Sequence, residues 1–247
     1  MTKKEPIKAL IVCINYSPEL ISTGLYTTGL AEYLASEGGA IDVVTALPYY
    51  PAWKTFDGWR RPWWKSRISE NGVRITHCPI YVPNRPTGAK RILHYISFAI
   101  SSFPIIISKS LRHRPRTILV VAPSLINAPG ALFAARLVQA KAWLHVQDFE
   151  VEAAYATGLL SEKTVLGRLA ARYESWALNR FDKVSSISSP MVEKLRNREV
   201  FPFFLTDFDR DQSPDSWGKY LYKANKLDDH HYYAVHHGEI ETSYKWE

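Results

Sequence analysis

The run Ile7-Lys8-Ala9-Leu10-Ile11-Val12-Cys13-Ile14, followed by Asn15-Tyr16-Ser17-Pro18-Glu19-Leu20-Ile21-Ser22-Thr23-Gly24, decides the fold. Apolar residues without polar alternation mark a strand buried on both faces, as in the middle of a parallel sheet. The loop behind it carries Pro18 and then Ser22, Thr23 and Gly24, directly before a helical pattern. A strand that passes through small residues into a helix leaves backbone N–H groups free to face an anion. The loop has neither the G-x-G-x-x-G of a dinucleotide fingerprint nor the GK[ST] of a P-loop, so two readings stay open: an anion-facing turn and an ordinary strand–helix connection.

Working outward, Gly24 to Ser36 reads as a helix with Leu25, Leu30, Tyr33 and Leu34 on its apolar face and Gly38-Gly39 at its end. Ile41–Leu47 reads as the next strand, giving βαβ and hence a parallel sheet with a right-handed crossover. Val73–Pro79, Thr117–Ala122, Lys141–Gln147 and Lys183–Ser188 are further strands. Helices are predicted over Ala128–Gln139, over Lys163–Phe181 (with Val165, Leu166, Leu169, Tyr173, Trp176 and Ala177 on one face) and from Met191. The fold class is therefore α/β, a doubly wound parallel sheet over residues 1–198.

Two stretches interrupt the alternation. Residues 48–72 read as one long loop rich in tryptophan and arginine, including Trp59, Arg60, Arg61, Trp63 and Trp64. Such a loop suits sugar stacking, a membrane interface or nucleic acid, or else its rings cover the edge of the core. The basic turn holding Lys90 and Arg91 leads into Ile92–Ile107, apolar on all sides. That run is shorter than the roughly 20 residues of a membrane span and contains His94, several serines and Pro104, so a helix against the sheet is expected. Its basic leading end fits a membrane surface, and a fully buried core helix fits the apolar run equally well.

The chain of 247 residues has a net charge of +7, unevenly spread: residues 199–247 hold 5 basic and 10 acidic residues, leaving 26 against 14 before them. A basic body points to an anionic partner. No nucleic-acid motif accompanies it, which ranks nucleic acid last. The only cysteines, Cys13 and Cys78, lie in strand-like runs and suit a reducing compartment rather than a disulfide framework. No secretory signal is read at the start, and a cytoplasmic location is expected. From Glu199 the periodicity stops, aromatic residues crowd and the charge reverses. The tail, 199–247, is expected to be irregular and reads as an out-of-frame continuation. Its Asp228-Asp229-His230-His231 and His236-His237 match no standard metal spacing.

Asn15-Tyr16-Ser17-Pro18-Glu19, Thr23-Gly24-Leu25-Tyr26, Leu144-His145-Val146-Gln147-Asp148-Phe149-Glu150 and Phe181–Ser188 together resemble the amino-terminal domain of retaining family 4 glycosyltransferases of the GT-B fold. The likeness is greatest to the group of colanic acid biosynthesis fucosyltransferases. It implies a nucleotide-sugar donor such as GDP-fucose, a polyprenyl-diphosphate-linked oligosaccharide acceptor at the inner membrane face, and no metal or other cofactor. By the same resemblance Ser22, Thr23 and Gly24 face the donor diphosphate, and Trp59, Arg60, Arg61, Trp63, Trp64, Lys90 and Arg91 serve acceptor or membrane. Many members carry a histidine directly before the aspartate. Here Gln147 stands there and His145 lies two residues earlier, on the same side of the strand. Asp148, Gln147 and His145 are the catalytic candidates, with Asp148 either touching sugar or capping the next turn. The second, donor-binding domain is not found in the 49 residues after Arg198. The resemblance therefore implies a truncated enzyme, inactive alone. The alternative is a non-catalytic peripheral membrane or partner-binding α/β module.

Overall fold

A computed structural model describes residues 6–19, 23–59, 63–156, 158, 160–198, 203–204, 234–236 and 239–241. In chain order the elements are β1 (Lys8–Cys13), α1 (Thr23–Ser36), β2 (Ala40–Ala46), β3 (Lys65–Ile68), β4 (Arg74–Cys78), α2 (Gly88–His113), β5 (Thr117–Ala122), a single 3-10 turn (Leu125–Asn127), α3 (Ala128–Val138), β6 (Lys141–Val146), α4 (Glu150–Ala156), α5 (Val165–Leu178), β7 (Lys183–Ser186), α6 (Ser189–Arg196) and β8 (Phe203–Phe204). The sheet order is β3-β4-β2-β1-β5-β6-β7-β8, parallel except for β3. Strand β1 lies in the interior, with Leu10 opposite both Asp42 and Ile118. Its alternate side chains enter different cores. Leu10, Val12 and Ile14 pack with Phe98 and Ile106 of α2 and Leu132 of α3. Ala9, Ile11 and Cys13 pack with Leu30 and Leu34 of α1. Burial on both faces is why the strand reads as a continuous apolar run. Cys13 and Cys78 are buried free thiols, each pushed up to about 12 by burial and so unreactive at neutral pH.

Three sequence expectations change. The 48–72 loop contains an edge strand, β3, which pairs antiparallel with β4 and places Ser66 Oγ 3.1 Å from Thr76 Oγ1. Its sequence, Lys-Ser-Arg-Ile, has no apolar alternation because the strand is exposed, and charges there guard the sheet edge. Leu25 of α1 is exposed while Leu30, Tyr33 and Leu34 are buried. On α5, Val165, Leu166, Leu169 and Trp176 face solvent, and Gly167, Glu174, Ala177 and Leu178 face inward. A Cβ on residue 167 would meet the Ser161 carbonyl oxygen at 2.1 Å, so only glycine allows that close approach. Glu174 is drawn inward by Arg198, at 2.7 Å.

Helix α2 runs for 26 residues, well past the apolar run of the sequence, and includes Pro104. It is long and apolar enough to cross a membrane by length and composition, yet it packs along the sheet against β1, β2, β4 and α3. The buried residues are His94, Phe98, Ser102, Ile106 and Ser110, one every fourth position. Ile92, Leu93, Ile96, Ile100, Phe103 and Leu111 are exposed. Pro104 lies on the solvent side, so the carbonyl of Ile100 that loses its helical partner can meet water. Two of the polar residues turned inward have partners: His94 Nδ1 donates to the Tyr81 carbonyl at 2.6 Å, and Ser102 Oγ lies 3.2 Å from Asn127 Oδ1.

Strand β8 joins the sheet beyond the boundary expected at residue 198. Ala234–His236 and Glu239–Glu241 (β9 and β10) form a separate antiparallel pair. The rest of the expected irregular, out-of-frame tail, with Asp228-Asp229-His230-His231, lies outside the described residues.

Candidate functional site

The parallel strands β4-β2-β1-β5-β6-β7 reverse direction of winding between β1 and β5, and a crevice opens at the carboxyl ends of strands at such a point. A cavity of about 330 Å³ occupies it. Ile14 and Asn15 enter from the end of β1, Tyr49 and Tyr50 from β2, Pro123 from β5, Asp148 and Glu150 from β6, and Arg91 and Tyr95 from the start of α2.

One buried carboxylate organises the wall. Glu19 Oε1 accepts the backbone N–H groups of Tyr49 at 2.6 Å and Tyr50 at 2.7 Å, while Oε2 accepts Asn15 Nδ2 at 2.8 Å. Burial pushes Glu19 upward, and these hydrogen bonds offset part of that push. Thr23 lines the cavity, its hydroxyl 3.4 Å from Asn15 Oδ1. Gly24 lies just behind, where an added Cβ would come within 3.0 Å of the Glu19 carbonyl. Glycine therefore lets α1 start hard against the loop that holds Glu19.

The aromatic side of the cavity is a cluster. Tyr49 and Trp53 meet edge-on at 5.5 Å, and His94 lies beneath them at 4.6 and 5.1 Å. The Arg91 guanidinium stands 5.3 Å above the Trp53 ring. Opposite are two carboxylates, the exposed Asp148 and the partly buried Glu150. Glu150 is pushed up to about 7 by burial, against the backbone N–H of Leu125 at 2.7 Å and that of Ser124; Glu174 and Asp148 push the same way. Rings that stack on a sugar face, carboxylates that accept hydroxyl protons and a guanidinium for an anion are together the equipment of a carbohydrate-phosphate site.

The sequence candidates are thus partly assembled. Asp148, Thr23 and Arg91 line the cavity. His145 does not: it is buried in β6 with Nδ1 2.9 Å from Ser185 Oγ. Gln147 occupies the turn after β6, outside the lining. Trp59 stacks edge-on against His77 at 4.5 Å beneath the Lys65 ammonium, Trp63 is exposed, and the Trp64 indole donates to the Ser101 carbonyl on α2 at 2.9 Å. Lys90 is exposed at the start of α2. Ser22, Arg60 and Arg61 lie outside the described residues. Sequence reasoning missed Glu19, Tyr95 and the weight of Glu150. Asn15-x-x-x-Glu19 was visible, but nothing local says that Glu19 folds back onto Tyr49.

A protein-family model, the glycosyl transferase 4-like domain, matches residues 23–202. The chain belongs to that family. This glycosyl transferase 4-like domain is 39 % identical over 197 residues to WcaI of Escherichia coli (strain K12), named for glycosyl transfer in colanic acid biosynthesis. The alignment covers 78 % of this chain and 47 % of that protein, so the chain spans about half the length of the curated relative it matches. Among solved structures, a sucrose-phosphate synthase of Thermosynechococcus elongatus superposes with TM-score 0.56 at 10 % identity, covering 89 % of this chain and 98 % of that one. Phytolacca americana UGT2, complexed with UDP-2-fluoro-glucose and pterostilbene, superposes with TM-score 0.52 at 9 % identity, covering 83 % and 54 %. At such identities the likeness is one of fold: this is the α/β architecture of GT-B glycosyltransferases.

Proposed function

We propose that this domain forms the acceptor side of a glycosyltransferase of colanic acid-type exopolysaccharide synthesis, transferring fucose from GDP-fucose to a polyprenyl-diphosphate-linked oligosaccharide at the cytoplasmic face of the inner membrane. The observation that carries the reading is the cavity at the strand reversal, where Tyr49, Trp53 and Arg91 face Asp148 and Glu150 in a member of this family. In this reading Trp53, backed by Tyr49, stacks on an acceptor sugar, Asp148 accepts a hydrogen bond from one of its hydroxyls, and Arg91 meets the acceptor diphosphate. Ser22, Thr23 and Gly24 face the donor diphosphate across the cleft from a donor-binding domain. Transfer then depends on holding acceptor hydroxyl and donor carbon in line while positive groups offset the charge on the departing diphosphate.

Calorimetric titration of this chain with a soluble oligosaccharide diphosphate tests the acceptor assignment. Trp53→Ala and Asp148→Asn are each expected to weaken binding about tenfold, or about 1.4 kcal/mol. Binding unaltered by both changes, or no binding at millimolar concentration, removes the acceptor role from this cavity. A transfer assay comparing GDP-fucose with other nucleotide sugars then assigns the donor.

The outward apolar face of α2 favours a second, compatible reading, a domain that rests on an anionic bilayer. Trp63, with 68 % of its surface exposed, and Lys90 lie near that face, and indoles beside basic residues favour the headgroup region. Trp63→Ala with Trp64→Ala is expected to lower co-sedimentation with phosphatidylglycerol vesicles about tenfold. Equal sedimentation of both proteins would refute that contact.

A further inference from the structure

A second cavity, a groove of about 440 Å³, lies between α2 and α3. Ile96, Ala99, Ile100 and Phe103 form one wall and Ile126 and Pro129 the other. The one polar side chain in the lining, Asn127, is already engaged: its Nδ2 donates to Ser124 Oγ at 2.7 Å and its Oδ1 meets Ser102 Oγ at 3.2 Å. The groove therefore offers an occupant apolar contact and no polar one. Its end is shaped by Gly130, where an added Cβ would stand 3.0 Å from the Phe103 ring. The glycine lets that ring lie down on α3 beside Phe133, with centroids 6.4 Å apart.

The groove is connected to the first cavity by a single stripe of side chains. Ile92 lines the first cavity; Ile96, Ile100 and Phe103 follow on the same helical face and line the second. All four are exposed, Ile100 with 70 % of its surface. At 1.5 Å of rise per residue the stripe is about 16 Å long. Lys90 and Arg91 stand at its cavity end, where Arg91 shares the lining with Asp148 and Glu150, and neither α2 nor α3 contains an aspartate or glutamate. An apolar track that leads away from the basic first turn of α2 matches an amphiphile with an anionic head and a single long apolar chain.

We propose that the α2–α3 groove seats the proximal part of the isoprenoid chain of a prenyl diphosphate whose head lies at Arg91. This rests on the reading of the first cavity as the acceptor site and adds where the lipid leaves it. A bilayer lying flat on the α2 face needs the exposed apolar surface alone; a seated chain needs the groove.

Titration calorimetry of the full chain with two soluble probes, isopentenyl diphosphate and farnesyl diphosphate, separates head from chain. Farnesyl diphosphate is expected to bind at least tenfold more tightly. Ile100→Asp, inside the groove, is expected to shrink that ratio at least fivefold. Leu137→Asp, also exposed on α3 but outside the lining, is expected to change it less than twofold. Both sites are solvent-facing, so folding tolerates both changes, and circular dichroism verifies it. A wild-type ratio below tenfold, or equal effects of the two substitutions, overturns the proposal. So does an Ile100→Asp protein that loses phosphatidylglycerol vesicles but keeps the farnesyl preference, since the face would then cover a bilayer. No sugar and no donor enters this titration. Failure of glycosyl transfer leaves it standing, and its own failure leaves sugar binding in the first cavity untouched.

Discussion

Asp42→Asn is expected to destabilise the domain by about 3–5 kcal/mol, read from urea unfolding at pH 7. Asp42 lies on β2 with 3 % of its surface exposed, and two cations and a histidine converge on it. Arg74 donates through Nε at 3.1 Å and Nη2 at 2.5 Å, Lys109 through Nζ at 2.8 Å, and His113 approaches through Nδ1 at 2.8 Å. Burial by itself pushes the carboxyl up, and the hydrogen bonds from Arg74 and Lys109 outweigh it and hold Asp42 below the ordinary carboxylate range. The amide keeps the shape and some hydrogen bonds but leaves the largely buried Lys109 and the half-buried Arg74 without an anion between them. That is the costly way to break such a group, because the desolvation of the remaining charges is no longer offset. The sign of the linkage agrees: a depressed carboxyl contributes stability above its unfolded pKa near 3.9 and loses it as pH falls. The full effect is therefore present at pH 7. A loss below 1 kcal/mol would show that Asp42 is a bystander.

The second large effect is an acid transition driven by buried histidines. His77 and His94 are pushed down to about 4 and His145 to about 3, each by burial. All three have less than 3 % of their surface exposed. Unfolded, they protonate near pH 6.5. Between 6.5 and 4 the unfolded chain therefore binds more protons at these sites, and stability is lost as pH falls through that window, by about 1.4 kcal/mol per pH unit per histidine. Glu150 and Glu19 act with the opposite sign, since their raised folded values make the native state bind more protons above about 4.5. The stability curve is expected to decline gently from pH 6.5 to about 4.5 and more steeply below, where the glutamates no longer offset the histidines and Asp42 begins to protonate in the unfolded chain. Between pH 6 and 5, His94→Phe is expected to reduce the slope by nearly one proton and Glu150→Gln to steepen it by nearly one. The change in slope, rather than in absolute stability, is the decisive reading, because His94→Phe also strips the Tyr81 carbonyl of its donor. An unchanged slope in either variant would contradict the assignment.

The chain made its doubly wound sheet legible because the four central strands, β2, β1, β5 and β6, are buried on both faces and announce themselves as largely apolar runs. Strand β3 carries no such run. The signal that could have found it is Asn71-Gly72, a hairpin dipeptide whose glycine sits at φ +89° in the turn that joins β3 to β4. Helix α2 was legible as a helix but not in its orientation. A helical wheel places isoleucines inside, whereas His94 and Ser102 are inside because a backbone carbonyl and a side-chain amide wait there for them. The site was legible in outline, since Thr23 and Asp148 follow strands and strand ends form the crevice. Glu19 and Tyr95 were not, because their places depend on contacts with chain about 30 and more than 50 residues away.

Helix α2 is held at one extremity by Asp42, through Lys109 and His113, and carries Arg91 at the other. Those two extremities are about 27 Å apart along the helix axis. A rotation of one degree about the Asp42 anchorage would displace Arg91, which lines the crevice, by about 0.5 Å. The mouth of the crevice is thus calibrated from the opposite margin of the sheet, by a carboxylate that no reactant reaches.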